Sequence, residues 1–151
     1  MGTKLLGALV SEVGHLWATL MPVDPDLRTP LAIALGAVPG ALSRYYLTRW
    51  CTTWLGTGFP YGTFLVNLSG ALLMGFFTTL VLEKTVVSPD VRALVAVGFL
   101  GAYTTFSTYV LDTVNLMQGG SWHRVMVYWG GSAMLGIVSL GFGSAIARKI
   151  L

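Results

Sequence analysis

Residues 98–109 read GFLGAYTTFSTY, and they interrupt a hydrophobic stretch, residues 91–117, that is otherwise long enough to cross a bilayer. A spanning helix needs about 20 apolar residues, and this stretch has 27. Its centre, however, holds Gly98, Gly101 and five hydroxyl side chains within the six positions from Tyr103 to Thr108. Backbone freed from helical bonding at membrane depth is tolerated only where protein or a water-filled cavity satisfies it. Half-helix ends in that position turn their dipoles toward ions. The stretch predicts a helix broken at mid-membrane, in a protein that handles an ion.

The rest of the chain agrees with a membrane setting. Hydrophobic residues make up 54% of the 151 positions and charged residues only 10%, against about 25% charged in a soluble domain. A net charge of +3 is too small and too scattered to recruit nucleic acid. The lone cysteine, Cys51, has no partner for an intrachain disulfide and no metal-ligand companions. Four hydrophobic segments can be marked off by charges and turn residues: 31–47, 63–82, 91–117 and 125–147. The second carries no formal charge. Ser88-Pro89-Asp90 reads as a helix start and Gly119-Gly120 as a stop. Trp50, Trp54, Tyr61 and Trp122 fall near segment ends, where interfacial aromatics gather. The fold class expected is an all-α membrane protein with four transmembrane helices.

Four crossings place both ends of the 29–151 unit on one side. Arg28, Lys84, Arg92, Arg148 and Lys149 then face Arg49 and Arg124 on the other, with Arg44 joining the latter if it snorkels outward. That bias mildly favours cytoplasmic termini. In residues 1–28, Leu5, Leu6, Leu9, Val10, Val13, Leu16, Trp17 and Leu20 repeat at helical spacing. The pattern predicts an amphipathic helix lying in the membrane interface, and a dispensable disordered tail is the alternative. A signal peptide fits less well, because Ser11-Glu12 breaks the apolar run. Pro22, Pro25 and Pro30 predict a stiff, extended linker into the first span.

Glycine density points to a compact bundle. Gly36 and Gly40 form a small-xxx-small pair, and Gly70, Gly75, Gly130, Gly131 and Gly136 extend the pattern. Polar side chains inside spans are costly and mark function more often than chance. Arg44, late in the first segment, suits an interface anchor. Asn67 suits either a helix–helix hydrogen bond or a passing anion. Thr104, Thr108 and Asp112 recur at intervals of four, while Phe106 and Tyr109 occupy an adjacent face. Membrane threonines often bond only to their own helix, so the density of hydroxyls carries more than any one of them.

The blocks GAVPGALSRY (36–45), YGTFLVNLSGALLMG (61–75) and GFLGAYTTFSTY (98–109) resemble the signature blocks of the Fluc/CrcB fluoride channels, in the same order and spacing. The resemblance covers roughly residues 29–151. It implies a dual-topology homodimer, two copies inserted antiparallel in the plasma membrane (the inner membrane of the cell), with two fluoride pathways. It also implies a structural sodium ion at the break of the third helix, held by the backbone carbonyls of Gly101 and Thr104 from each copy. Asn67 and Phe106 would face fluoride, Ser107, Thr108, Tyr128 and Ser132 would add polar groups, and Arg44 would sit in the vestibule. Tyr109 stands where the family has a second phenylalanine, and Asp112 where it more often has glutamate. Fluoride is small and strongly hydrated, so amide and hydroxyl donors and the positive edges of rings are suited to replace its water.

Other classes fit less well. A small dual-topology proton-coupled multidrug exporter, the alternative reading, needs a carboxylate within its first spans, and segments 31–47 and 63–82 contain no Asp or Glu. An enzyme is not expected: His15 and His123 lie outside the spans, and no nucleophile–base pair is visible.

Overall fold

The computed structural model describes Ala8, Glu12, Leu16, Thr19 and residues 25–83 and 87–150. The amphipathic helix expected in residues 1–28 lies for the most part outside the described residues; its four described positions are helical and exposed. Among the described residues every regular element is helical. α1 spans Pro25–Leu55 and α2 Tyr61–Glu83. A short α3, Pro89–Arg92, runs into a π-helix, Ala93–Leu100, and one further turn, α4, Gly101–Tyr103. α5 covers Phe106–Gln118 and α6 Trp122–Ile150.

Among the described residues, three segments are long and apolar enough to cross a membrane: Tyr61–Val81, Pro89–Gln118 and Trp122–Ile150. They agree with the second, third and fourth expected spans to within a few residues. α1 is longer than its apolar core. The helix continues past Leu47 through Arg49, Trp50 and Trp54, because peptide hydrogen bonding does not stop where hydropathy does. At its other end Pro25 and Pro30 are helical, which corrects the extended linker expected there. Pro25 suits the first helical turn, where the missing N–H has no acceptor in any case, while Pro30 and Pro39 lie inside the helix.

The helix ends follow local chemistry. Ser88 accepts a hydrogen bond from the Val91 N–H and Pro89 opens α3. Gly120, at φ 69°, closes α5, with Ser121 N–H reaching back to the Leu116 carbonyl. The Arg28 guanidinium and Asp90 carboxylate, 3.3 Å apart, tie the start of α1 to α3.

Two glycine seams hold the bundle. α1 packs along the π-helix and α2 along α6. A Cβ on Gly36 would overlap the Leu94 carbonyl oxygen, and one on Gly98 the carbonyl of Ile33. In the second seam a Cβ on Gly75 would strike the Leu140 carbonyl, and one on Gly143 that of Leu72. Backbones this close gain dispersion contacts that lipid chains cannot replace. Gly130 and Gly136 behave differently from the expectation for a packed seam: they meet nothing within 4 Å in the single chain. The outer face of α6 is similarly uncovered, with Met126, Trp129, Met134, Ile137 and Phe142 exposed.

Candidate functional site

The backbone between α4 and α5 leaves the helical path for two residues. Thr104 is extended at φ −79°, ψ 157°, and Thr105 at φ −149°, ψ 121°. Each side of this interruption has its own local support. Thr104 donates its N–H and its hydroxyl to the Leu100 carbonyl, at 3.0 and 2.9 Å. Thr105 caps α5, its hydroxyl oxygen accepting from the Thr108 N–H. From α2, Asn67 spans the gap: its Nδ2 donates to the Thr105 carbonyl at 3.0 Å and its Oδ1 accepts the Thr105 N–H at 2.9 Å. Gly70, one turn further along α2, leaves room for the Thr104 methyl, which a Cβ there would overlap. Beside it Tyr103, buried and stacked on Phe99 at 5.9 Å, shares a 2.8 Å hydrogen bond with the Ser69 hydroxyl.

Around this frame the structure gathers the candidate residues into two adjoining clefts. Asn67, Thr104, Phe106, Tyr109 and Ser132 line the larger, of about 840 Å³, whose remaining wall is mostly apolar. Arg44, Ser107 and Thr108 line the second, of about 470 Å³, with Thr48, Arg49 and Thr63. Thr105 borders both. Phe106 is 77% exposed although it sits at the interruption, so its ring is free to face whatever enters. The Phe106 and Tyr109 rings lie 5.8 Å apart, and Tyr109 and Tyr128 5.2 Å apart. The Tyr109 hydroxyl donates to the Trp129 carbonyl at 3.2 Å. The Ser132 hydroxyl is buried without a hydrogen-bond partner, in a residue that lines the larger cleft. Gly101 is exposed in the single chain.

Tyr128 stands behind the site rather than in either cleft. Fully buried, it donates to Asp112 Oδ2 at 3.1 Å, and the Thr63 hydroxyl donates to the same oxygen at 2.7 Å. The carboxylate thus joins α2, α5 and α6. A third cavity of about 360 Å³ opens beside it, lined by Thr52, Thr63, Thr108, Asp112 and Asn115.

Sequence reasoning passed over Thr105 and Thr63. Thr105 was one hydroxyl among five, with nothing local to single it out. Thr63 did carry a signal: Thr63, Asn67 and Gly70 are spaced by four and three along α2, one face of a helix.

A family model described as "CrcB-like protein, Camphor Resistance (CrcB)" matches residues 31–144, which include every residue of this site. The chain belongs to the CrcB family. Two of the relatives are matched over nearly their whole length, and a third over about half. A protein of Synechococcus sp. named fluoride-specific ion channel FluC is 50% identical over 126 residues, covering 83% of this chain and 97% of its own. One of the same name from Trichormus variabilis is 50% identical over 126 residues, 83% of this chain and 92% of that one. Another from Methylococcus capsulatus is 40% identical over 119 residues, 79% of this chain and 52% of its own. The family match and the three membrane-capable segments make this a multi-pass membrane protein. Within the family region lie the interruption at Thr104–Thr105, Asn67 and both rings, while residues 1–30 fall outside it.

Proposed function

We propose that the chain forms a fluoride-selective channel that lets the ion leave the cell down its own gradient. The observation that carries this reading is the grouping of Asn67, Phe106, Tyr109 and Ser132 around a helix interruption, in a chain whose relatives are named fluoride-specific ion channels. Fluoride gives up water only where donors and positive ring edges stand in for it. Ser132 has a free hydroxyl. Asn67 keeps one Nδ2 hydrogen beyond the one given to Thr105. The exposed edge of Phe106 adds a weak positive contact. In the second cleft Arg44 and the hydroxyls of Ser107 and Thr108 draw an anion from the membrane edge. The carboxylate of Asp112 is held by two hydroxyls, an arrangement suited to structure rather than to carrying protons, and neither an exporter nor an enzyme is needed to account for it.

In this reading α1 is a fourth span, the interruption lies at mid-membrane, and two copies insert antiparallel in the plasma membrane with a pathway on each side. The uncovered face of α6 then meets lipid or the second copy. A sodium ion suits the interruption: the carbonyls at the C-terminal end of α4 carry its partial negative charge, and the Thr105 N–H that would close on Gly101 goes to Asn67 instead. Gly101 and Thr104 would hold the ion by backbone oxygens, a donor set matched to a hard cation. Bound there, it would raise the local potential and link the half-helix ends. The test is fluoride efflux from liposomes containing the purified chain alone, followed with a fluoride electrode beside a chloride control. Passive fluoride release without chloride release is expected; equal release of both overturns the proposal.

A further inference from the structure

Asn67 belongs to the wall of an anion path, yet two of its polar groups are turned to the backbone of the next segment. Oδ1 accepts the Thr105 N–H and Nδ2 donates to the Thr105 carbonyl, at 2.9 and 3.0 Å, across 38 positions of sequence. A side-chain amide has the same donor and acceptor as a peptide group. Here it takes the place of a helical turn. In an unbroken helix the Thr105 N–H would bond to the carbonyl of Gly101; with Asn67 in that role, the Gly101 oxygen is released. Gly70 and Ser69, on the following turn of α2, seat Thr104 and Tyr103, so the interruption is held from α2 along its whole length.

We infer that Asn67 is a positioning residue for the carbonyl cluster at the interruption: by substituting for the Gly101 carbonyl it frees that oxygen for a cation, and couples the anion-lined wall to cation binding. This rests on the sodium reading given above. It also assigns the amide a division of labour, two groups for the backbone and a single N–H for the pathway. Loss of the amide then returns the Thr105 N–H to the helix or leaves it unpaired, and in both cases the carbonyl set is disturbed.

The experiment reads sodium rather than flux. Thermal unfolding of the purified, detergent-solubilised protein is followed as sodium replaces N-methylglucamine, and the sodium concentration giving half of the stabilisation is taken. Asn67→Ser is too short to reach both Thr105 groups, and Asn67→Leu removes them altogether. Gly75→Ala, which crowds the distant α2–α6 seam, controls for general destabilisation. The expected result is a half-stabilising concentration at least tenfold higher in both Asn67 variants and unchanged in Gly75→Ala. If Asn67→Leu does not assemble, Asn67→Ser decides the matter by itself. A parent that responds to sodium with an Asn67→Ser midpoint equal to it overturns the inference and leaves the sodium reading standing. A parent indifferent to sodium overturns both.

Discussion

Tyr109→Phe isolates what a single hydroxyl does at the ring pair. The tyrosine O–H has one proton, and the structure directs it to the Trp129 carbonyl at 3.2 Å. It cannot give that proton to fluoride at the same time. Removing it therefore costs a neutral hydrogen bond between α5 and α6, about 0.5–1.5 kcal/mol of stability. The ring, whose centre lies 5.8 Å from that of Phe106 and 5.2 Å from that of Tyr128, is untouched. Fluoride efflux should stay within about threefold of the parent, since roughly 1.4 kcal/mol is needed for a decade in rate. Had the hydroxyl donated to the ion, a charge-assisted bond of about 1.5–3 kcal/mol would be lost, and flux would change about tenfold or more. The assay pairs liposome efflux with thermal unfolding of the same preparation. Phe106→Ile is the matched control and should lose conduction, because both ring edge and quadrupole vanish. A tenfold fall in flux for Tyr109→Phe with unchanged stability refutes this assignment, as does normal conduction by Phe106→Ile.

Asn67→Asp should stop fluoride flux while the assembly survives size-exclusion chromatography, because the carboxylate loses both amide donors and faces the Thr105 carbonyl; normal flux would remove Asn67 from the pathway. Asp112→Leu strands the Thr63 and Tyr128 hydroxyls, at about 1–3 kcal/mol each, whereas Asp112→Asn keeps an acceptor; chemical unfolding should rank the leucine variant clearly below the asparagine one. Gly75→Ala forces a Cβ onto the Leu140 carbonyl and should lower stability by about 1–3 kcal/mol, read as a drop in melting temperature. Arg28→Ala breaks an ion pair whose side chains are 28% and 16% exposed and should cost about 1 kcal/mol by the same measurement.

Much of the bundle was legible because membrane helices are bounded by chemistry the sequence displays. The uncharged run in α2, Ser88-Pro89 and Gly119-Gly120 each mark an end that the structure reproduces. α1 was harder. Arg49 and the tryptophans signal the membrane edge, but a helix pays no attention to that edge, and Pro25 lies where proline favours a helix start. Within the site, residue types were visible and their partners were not. Asn67 left two readings open in the sequence, and only the fold brings it to Thr105. Tyr109 and Trp129 are likewise joined by helix crossing rather than by spacing. Gly130 and Gly136 carry the small-residue pattern of a packed seam yet meet open space in the single chain, since composition does not say which neighbour a face will find.

Selectivity is the central claim, and a bi-ionic measurement addresses it without inference from rates. Purified chain is fused into a planar bilayer with sodium fluoride on one side and sodium chloride on the other, and the potential at zero current is recorded. A current carried by fluoride alone drives that potential far from zero, with the sign set by fluoride leaving its own side. A reversal potential near zero, with chloride carrying comparable current, would contradict the account.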